Sequence, residues 1–175
     1  EAAKRGRGTA TAIAGLGNAA SVLVGDFIYT RALEIMTSVG ARRVLGLMLE
    51  AVKVTAEGEV SPLLNCNDAD ITEDSHMGVI YSKTARLFEA AAQSSGILAG
   101  ATAEQEQALQ DYGRYIGTAF QLIDDLLDYS ADGATRGKNV GDDLSAGQPT
   151  LPLLHAMRNG TPEQTSILRN AIEEG

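Results

Sequence analysis

A single stretch decides the fold class: TAEQEQALQDYGRYIGTAFQLIDDLLDYS, residues 102–130. Its apolar side chains recur at intervals of three and four residues, which is the spacing of one face of an α-helix. Thr102 and Gln105 have the spacing of a capping box, so the helix is predicted to begin at Thr102. We therefore expect one long amphipathic helix that ends near Ser130. Its apolar stripe comprises Leu109, Tyr112, Ile116, Phe120, Ile123 and Leu127.

The rest of the chain repeats this helical pattern and contains no convincing alternation of apolar and polar residues between hairpin turns. The fold class is therefore predicted to be all-α, with the 175 residues in a single helical domain. Gly58 and Pro62 predict an irregular last turn of the second helix. The predicted helices span 17–39, 41–64, 72–99, 102–130, 151–157 and 162–174, with loops at 65–71 and 131–149.

The two ends of the chain indicate a fragment of a longer protein. The sequence begins at Glu1 rather than at a methionine. It stops at Gly175, directly after an amphipathic stretch that has little left to pack against. We expect further helices on both sides of residues 1–175.

Composition excludes several classes of function. Lys and Arg total 14 against 23 Asp and Glu, a formal net charge of -9, so the surface lacks the positive charge that grips a nucleic-acid backbone. The single cysteine, Cys66, cannot form an internal disulfide, which favours a reducing compartment. No apolar run approaches the roughly 20 residues that span a bilayer. We expect a soluble, cytoplasmic protein that binds no nucleic acid and has no transmembrane segment.

Three carboxylates fall on one stripe of the long helix. Asp124, Asp125 and Asp128 share a face with Gln121, opposite the apolar stripe. Like charges three or four residues apart destabilise a helix by a few tenths of a kcal/mol per pair unless a cation compensates them. An exposed acidic face is the usual explanation of such a cluster. Carboxylate oxygens also suit Mg²⁺, which completes its coordination with water and substrate phosphate oxygens. The stripe therefore predicts either a solvated face or a magnesium site for a phosphate substrate.

A phosphate substrate also needs fixed cations, and two lysines are candidates. Lys83 lies in a largely apolar segment and could reach inward, although a lysine that extends its ammonium group to solvent from a helix edge has the same pattern. Lys138 follows the acidic stripe in the long loop rich in Gly and Asp. Loops of that length are commonly functional, so Lys138 could close over a bound anion.

Several ordered motifs together resemble those of the trans-polyprenyl diphosphate synthase family, and the bacterial long-chain members in particular. The resemblance covers nearly the whole chain, and the combination is far more specific than any single motif. The motifs are GTAFQLIDDLLD at 117–128, GKNVGDDL at 137–144, Lys83-Thr84, Arg7-Gly8 and GNAAS at 17–21.

The resemblance implies both a fold and an activity. The family is an all-α, isoprenoid-synthase-type helical bundle, of which this chain would be a part. Its members are Mg²⁺-dependent trans-prenyltransferases that condense isopentenyl diphosphate with an allylic prenyl diphosphate, here into a long-chain, octaprenyl-like, all-trans product. The allylic bond to diphosphate ionises, the isopentenyl double bond attacks the carbocation, and a proton is lost. Relatives are usually homodimers with the first long helices at the interface.

Matched residue by residue, the family's motifs imply roles for residues of this sequence. Asp124, Asp125 and Asp128 correspond to the second aspartate-rich motif and would bind Mg²⁺ at the allylic diphosphate. Asp124, Asp125 and Lys83 would be catalytic, by stabilising the departing diphosphate. Arg7 matches an arginine that helps to hold isopentenyl diphosphate in relatives. The positions that contact or steady the allylic diphosphate correspond to Lys83, Thr84, Gln121 and Lys138.

Three departures from the family's pattern concern the substrate sites. The first aspartate-rich motif would precede Arg7, and the match places Glu1 at or beside its last acidic position. The motif itself is therefore missing, and the chain on its own is expected to be inactive. Gly6 replaces the arginine before Arg7, with Arg5 one place earlier. Gln148 stands where relatives commonly carry lysine, which removes one positive charge near the site.

Two alternatives remain open from the sequence. A non-catalytic family member could act as the partner subunit of an active synthase, although such a subunit has no physical need for three aligned carboxylates. A di-iron bundle takes Glu-x-x-His from two helices, and Glu73 to His76 has that spacing. A second such motif is missing, because Pro152 lies three residues before the other histidine, His155. We expect His76 to be a surface cap residue and His155 to be partly buried on a helix.

Overall fold

The computed structural model describes residues 5–6, 9–64, 66–130 and 141–174, and helices account for most of them. The described elements are β1 (Arg5–Gly6), β2 (Thr9–Ala10), α1 (Ala12–Leu16), α2 (Asn18–Ser38), α3 (Arg42–Leu64), α4 (Glu73–Ile80), a π-helical turn (Tyr81–Ala85), α5 (Arg86–Leu98), α6 (Ala103–Ser130), α7 (Asp142–Ser145), α8 (Leu151–Asn159) and α9 (Pro162–Glu174). The predicted all-α fold class is confirmed.

A minimal β-hairpin near the N-terminus corrects the expectation that the chain has no strands. β1 and β2 pair antiparallel, with Arg5 opposite Ala10 and Gly6 opposite Thr9. Strands of two residues are too short to show an alternation of apolar and polar side chains. The sequence pattern therefore carries no signal for them.

Several helix ends lie where the capping residues predict them. The backbone N–H of Gln105 donates to Thr102 Oγ1 at 3.3 Å, and that of Thr102 donates to Gln105 Oε1 at 3.0 Å, which is the predicted capping box. Thr161 and Gln164 make the same reciprocal pair before α9. Gly40, just beyond α2, has a φ of +75°, a conformation that glycine adopts without steric cost.

The second long helix, α3, does not end irregularly as predicted. It continues as an α-helix through Gly58 and Pro62 to Leu64. A Cβ atom at position 58 would lie only 2.7 Å from Ser82 Cβ, so the missing side chain lets α3 approach the π-helical turn closely. Gly58 is therefore a packing residue rather than a helix breaker.

The helix predicted over residues 72–99 is divided into α4 and α5 by the π-helical turn. Such a turn inserts one extra residue into the helical repeat, and it occurs frequently at functional sites. It carries both residues of the Lys83-Thr84 pair. The turn packs against α3 on one side and against α6 on the other.

Helix α6 lies at the centre of the described contacts. It packs most extensively along α5, and it also contacts the π-helical turn, α4, α7 and α8. A Cβ at Gly113 would lie 2.5 Å from the Phe88 carbonyl oxygen and 2.8 Å from Glu89 Cα, so glycine is required for this close approach. The middle of α6 is thereby held closely against α5.

Small side chains fill much of the core, whereas many large apolar side chains remain exposed. Ala51, Ala85 and Ala90 are fully buried beside Ile80. Over the described ranges, none of the helices combines the length and the apolar character that a membrane span requires. The exposed apolar residues concentrate on α2 and α6, and they include Leu23, Val24, Phe27, Ile28, Ile35, Tyr112, Tyr115, Ile116, Phe120, Ile123 and Leu127.

Candidate functional site

The acidic stripe of α6 faces the protein interior. Asp125 is 4% exposed and Asp128 is 6% exposed, and Asp124 is half-buried. Phe120 on the opposite stripe is 59% exposed. The solvated acidic face that the sequence left open is therefore excluded. Buried carboxylates require compensation, because a carboxylate removed from water is costly unless it is paired or hydrogen-bonded.

A chain of hydrogen bonds joins the π-helical turn to the acidic stripe. Thr84 Oγ1 donates to Gln121 Oε1 at 2.8 Å, and Gln121 Nε2 donates to Asp125 Oδ1 at 2.7 Å. The two bonds fix the orientation of the Gln121 amide, with its nitrogen toward the carboxylate. Two of the family's motifs, Lys83-Thr84 and 117–128, implied Thr84, Gln121 and Asp125, and these three residues therefore form one connected unit.

His76 also faces Asp125, which corrects its expected place as a surface cap residue. Its side chain is buried, and its Nε2 lies 3.4 Å from Asp125 Oδ2 without the geometry of a hydrogen bond. Thr72 is the residue that caps α4, by accepting from the backbone N–H of Ser75 at 3.1 Å. His155 was expected to be partly buried and is exposed on α8 instead.

Asp128 accepts hydrogen bonds from backbone N–H groups in the segment that begins at Gly141. The backbone N–H of Asp143 donates to Asp128 Oδ2 at 3.2 Å, and that of Gly141 donates to the Asp128 carbonyl oxygen at 3.1 Å. The loop predicted over 131–149 thus contains the short helix α7, which approaches the end of the acidic stripe. Gln148, which stands where relatives commonly carry lysine, is half-buried near it and donates its backbone N–H to the Asp143 carbonyl oxygen at 2.9 Å.

Tyr129 lies near the same carboxylates, and their negative charges affect the pKa of its hydroxyl group. Burial raises the pKa of its hydroxyl group, and the negative charges of Asp143, Asp128 and Asp125 raise it further, against a hydrogen bond from Thr150 that lowers it. The tyrosine is therefore neutral at physiological pH, and its hydroxyl group can accept the 3.3 Å hydrogen bond from Thr150 Oγ1.

Lys83 is half-buried on the π-helical turn, one residue before Thr84. No described carboxylate lies within ion-pair distance of its ammonium group. A lysine that has no internal ion pair keeps its charge available for an anionic ligand. Its position next to Thr84 places that charge on the turn that contacts the acidic stripe.

The described carboxylates do not form a closed metal cage. Within the described ranges, no three or more His, Cys, Asp or Glu side chains are grouped closely enough to hold a metal ion by themselves. This observation gives no support to the di-iron alternative, which needs four carboxylates and two histidines. It remains compatible with Mg²⁺, which commonly uses one or two carboxylates together with waters and substrate phosphates.

Two of the residues implied by the family's motifs, Arg7 and Lys138, lie outside the described residues. Of the residues inside them, sequence reasoning missed His76 and Tyr129. A signal for His76 existed: it lies four residues before the buried Ile80, so the two share one face of α4. No pattern in the sequence indicates the contact between Tyr129 and Thr150, because the two residues lie on separate elements.

The arrangement of helices is the isoprenoid-synthase helical fold. A decaprenyl diphosphate synthase from Rhodobacter capsulatus matches with a TM-score of 0.87 and 41% identity, over 98% of this chain and 53% of that one. A polyprenyl synthase from Caulobacter crescentus CB15, solved as a complex with calcium and isoprenyl diphosphate, matches with a TM-score of 0.84 and 37% identity, over 97% of this chain and 57% of that one.

The chain belongs to the polyprenyl synthetase family, whose model matches residues 2–175. It is 72% identical to octaprenyl diphosphate synthase from Escherichia coli over 169 residues, which are 97% of this chain and 52% of the relative. It is 43% identical to an all-trans-nonaprenyl-diphosphate synthase from Rhodobacter capsulatus, over 97% of this chain and 52% of the relative. The resemblance seen in the motifs is confirmed. The chain spans about half the length of the curated relatives it matches.

Proposed function

We propose that the protein is a trans-prenyltransferase, which condenses isopentenyl diphosphate with an allylic prenyl diphosphate into a long-chain, octaprenyl-like, all-trans polyprenyl diphosphate. The hydrogen-bonded unit of Thr84, Gln121 and Asp125 carries the proposal, because it joins a buried acidic stripe to a turn whose lysine has no ion pair with any described carboxylate. To bind a diphosphate through a metal ion, a site needs carboxylates for the metal and a cationic side chain for the diphosphate. The 72% identity to an octaprenyl diphosphate synthase supports the same reaction and product class.

The metal of this proposal is Mg²⁺, and its proposed ligands are Asp124, Asp125 and Asp128, of which one or two would contribute to any one ion. The donor chemistry fits, since all the ligand atoms are carboxylate oxygens and the missing positions would be completed by water and diphosphate. The Caulobacter relative, solved with calcium and isoprenyl diphosphate, supports a divalent cation in this fold. A bound Mg²⁺ would neutralise the charge that grows on the diphosphate as the allylic bond ionises.

The remaining groups of the site position that charge. Lys83 would place its ammonium group on a diphosphate oxygen, and a preorganised donor of this kind is worth roughly 3 kcal/mol in the transition state. Gln121 keeps the Asp125 carboxylate in one orientation, and Thr84 keeps Gln121 in place. Lys138 and Arg7 would complete the contacts, to the allylic diphosphate and to isopentenyl diphosphate respectively.

We also propose that the full-length protein is a cytoplasmic homodimer and that residues 1–175 alone are inactive. The broad apolar surface of α2 supports a dimer, since Phe27 is 70% exposed and Leu23 and Ile28 are exposed beside it. The span of about half the relatives' length supports the expectation of inactivity. Light scattering of the full-length protein should give twice the mass of one chain.

The direct test is Asp124→Ala in the full-length protein, with turnover measured from an allylic diphosphate, isopentenyl diphosphate and Mg²⁺. We expect turnover to fall about 100-fold or more, with unchanged helicity by circular dichroism. Asp111→Ala is the matched control, because Asp111 also lies on α6 but forms its ion pair with Arg114, away from the stripe. Near-normal turnover by Asp124→Ala would reject the role of the stripe.

The same turnover assay also tests the alternative that the protein is a non-catalytic partner subunit of an active synthase. A wild-type full-length protein that shows no turnover by itself, but raises the activity of a synthase that purifies with it, would favour that alternative. Product chain length, measured by chromatography of the dephosphorylated product, tests the octaprenyl-like assignment.

A further inference from the structure

The π-helical turn that carries Lys83 and Thr84 is in backbone contact with α3. A Cβ atom added at Gly58 would lie 2.7 Å from Ser82 Cβ, and 2.9 Å from both the backbone nitrogen of Lys83 and the carbonyl carbon of Ser82. Two of these three neighbours are backbone atoms, which cannot rotate away as the end of a flexible side chain can. A side chain at position 58 would therefore displace the turn itself.

The opposite side of the turn is equally close to α6. A Cβ at Gly117 would lie 2.8 Å from Ala85 Cα and 2.8 Å from Phe88 Cβ. The turn therefore has no room to retreat from α3 toward α6. Displacement from α3 would have to move Lys83 and Thr84 along or around the helix axis.

This closeness distinguishes Gly58 from Gly46, the other glycine of α3. A Cβ added at Gly46 would have nothing within 4 Å. The start of the turn is also held from α5, because the Tyr81 hydroxyl group donates to the buried Glu89 Oε2 at 2.7 Å. Burial and this hydrogen bond both raise the pKa of Tyr81. Lys83 thus lies two residues after the hydrogen-bonded Tyr81, and its backbone nitrogen is part of the contact with Gly58.

We propose that Gly58 is a positioning residue for the allylic diphosphate site, because its missing side chain sets where the π-helical turn presents Lys83 and Thr84. The inference rests on the proposed function, in which Lys83 contacts the diphosphate. It assigns to Gly58 an effect on diphosphate binding through the turn, and no contact with substrate. An alanine at position 58 would require the contact to open, because its Cβ would lie only 2.7 to 2.9 Å from atoms of Ser82 and Lys83. We expect this shift to reach the Thr84–Gln121–Asp125 unit, since Thr84 is the next residue of the turn.

The test compares Gly58→Ala with Gly46→Ala in the full-length protein. Small misplacements of binding groups weaken binding strongly, so we expect Gly58→Ala to raise KM for the allylic diphosphate about tenfold. KM for isopentenyl diphosphate should change less than about twofold, because general loosening of the fold would affect both substrates. Gly46→Ala should leave both KM values and the helicity unchanged. Equal KM values for Gly58→Ala and wild type would overturn the inference.

Lys83→Gln distinguishes failure of this inference from failure of the proposed function. If Lys83→Gln leaves KM for the allylic diphosphate and kcat unchanged, the proposed role of the turn is wrong, and the inference fails with it. If Lys83→Gln raises that KM and Gly58→Ala does not, only the inference fails.

A second pair of variants covers the case in which Gly58→Ala does not fold. Ser82→Gly removes the Cβ nearest to position 58 and leaves the two backbone contacts at 2.9 Å. We therefore expect the double variant Gly58→Ala/Ser82→Gly to fold and still to raise KM for the allylic diphosphate relative to Ser82→Gly alone. A double variant with the same KM as Ser82→Gly would overturn the inference.

Discussion

At the scale of single residues, the environment of Asp125 explains why an acidic stripe can be buried. One carboxylate oxygen accepts from Gln121, and the other faces His76 at 3.4 Å. A buried carboxylate with partners on two sides has one orientation, which is what a metal ligand requires. Gln121 and His76 are therefore both expected to act through Asp125 and not on the substrate.

The role of His76 gives a first prediction. His76→Phe keeps an aromatic ring at the position but removes the nitrogen that faces Asp125. Because groups that orient a metal ligand typically contribute 10- to 100-fold to metal affinity or activity, we expect half-saturation of turnover to need about tenfold more Mg²⁺. The measurement is turnover of the full-length protein against Mg²⁺ concentration.

His155→Phe is the control for this variant, since His155 is an exposed histidine on α8. It should leave the Mg²⁺ dependence at the wild-type value. If His76→Phe shows the same Mg²⁺ dependence as His155→Phe, the imidazole does not orient Asp125.

Helical spacing predicted the acidic stripe at this scale but could not predict its direction. One face of α6 is acidic and the other is apolar, and hydrophobicity alone favours burial of the apolar face. The structure has the reverse: Phe120 is exposed and Asp125 is buried. What decides the direction is contact with the π-helical turn, through Thr84 and Gly117, and no pattern within α6 contains that information.

At the scale of elements, three helices are joined by one carboxylate. Glu106 on α6 accepts from Arg43 on α3 and from Gln93 on α5, with donor–acceptor distances of 2.8 Å for Arg43 Nη1 and Gln93 Nε2. These hydrogen bonds, from Arg43 first and then Gln93, lower the pKa of Glu106. The start of α6 is thereby held against α3 and α5, which both contact the π-helical turn.

The lowered pKa of Glu106 predicts how stability depends on pH. A carboxyl group whose pKa is lower in the folded state stabilises the fold above its unfolded pKa, about 4.3 for Glu, and that stability is lost as the pH falls through the folded pKa. Glu106→Gln cannot titrate, so its Tm should fall less steeply than that of wild type between about pH 5 and pH 3. Thermal unfolding of the full-length protein over that range measures the difference.

Glu104→Gln is the control for this pH dependence, because Glu104 is exposed in the same first turn of α6. Its Tm should follow the wild-type pH profile. Parallel profiles for Glu106→Gln and wild type would show that the three-helix contact contributes no pH-dependent stability.

Elements were predicted best where local chemistry fixes their ends. The capping box at Thr102 depends on neighbouring residues only, and it lies as predicted. The capping box at Thr161 and the glycine after α2 are local in the same way. The π-helical turn could not be predicted, because it depends on contacts with α3 and α6 that are distant in sequence. The irregular last turn predicted from Gly58 and Pro62 is wrong for the same reason, because the close neighbour of Gly58 is Ser82, 24 positions further along the chain.

At the scale of the whole molecule, the described residues bury much of the acidic stripe and expose many large apolar side chains. Apolar surface of this extent is a docking surface as a rule, since monomeric proteins rarely expose large contiguous patches. The chain covers about half of its relatives' length. The buried acidic face of α6 and the exposed apolar faces of α2 and α6 therefore fit one part of a larger assembly. Under the proposed function, the acidic stripe would face the substrate in that assembly.

The central claim is that this stripe and Lys83 bind a diphosphate through a divalent cation. Its most direct test is calorimetric titration of the full-length protein with inorganic pyrophosphate, with and without Mg²⁺, for wild type, Asp125→Asn and the control Asp111→Asn. We predict binding that requires Mg²⁺, that is at least about tenfold weaker in Asp125→Asn, and that is unchanged in Asp111→Asn. Equal affinity in wild type and Asp125→Asn, or undiminished binding without any divalent cation, would contradict the account.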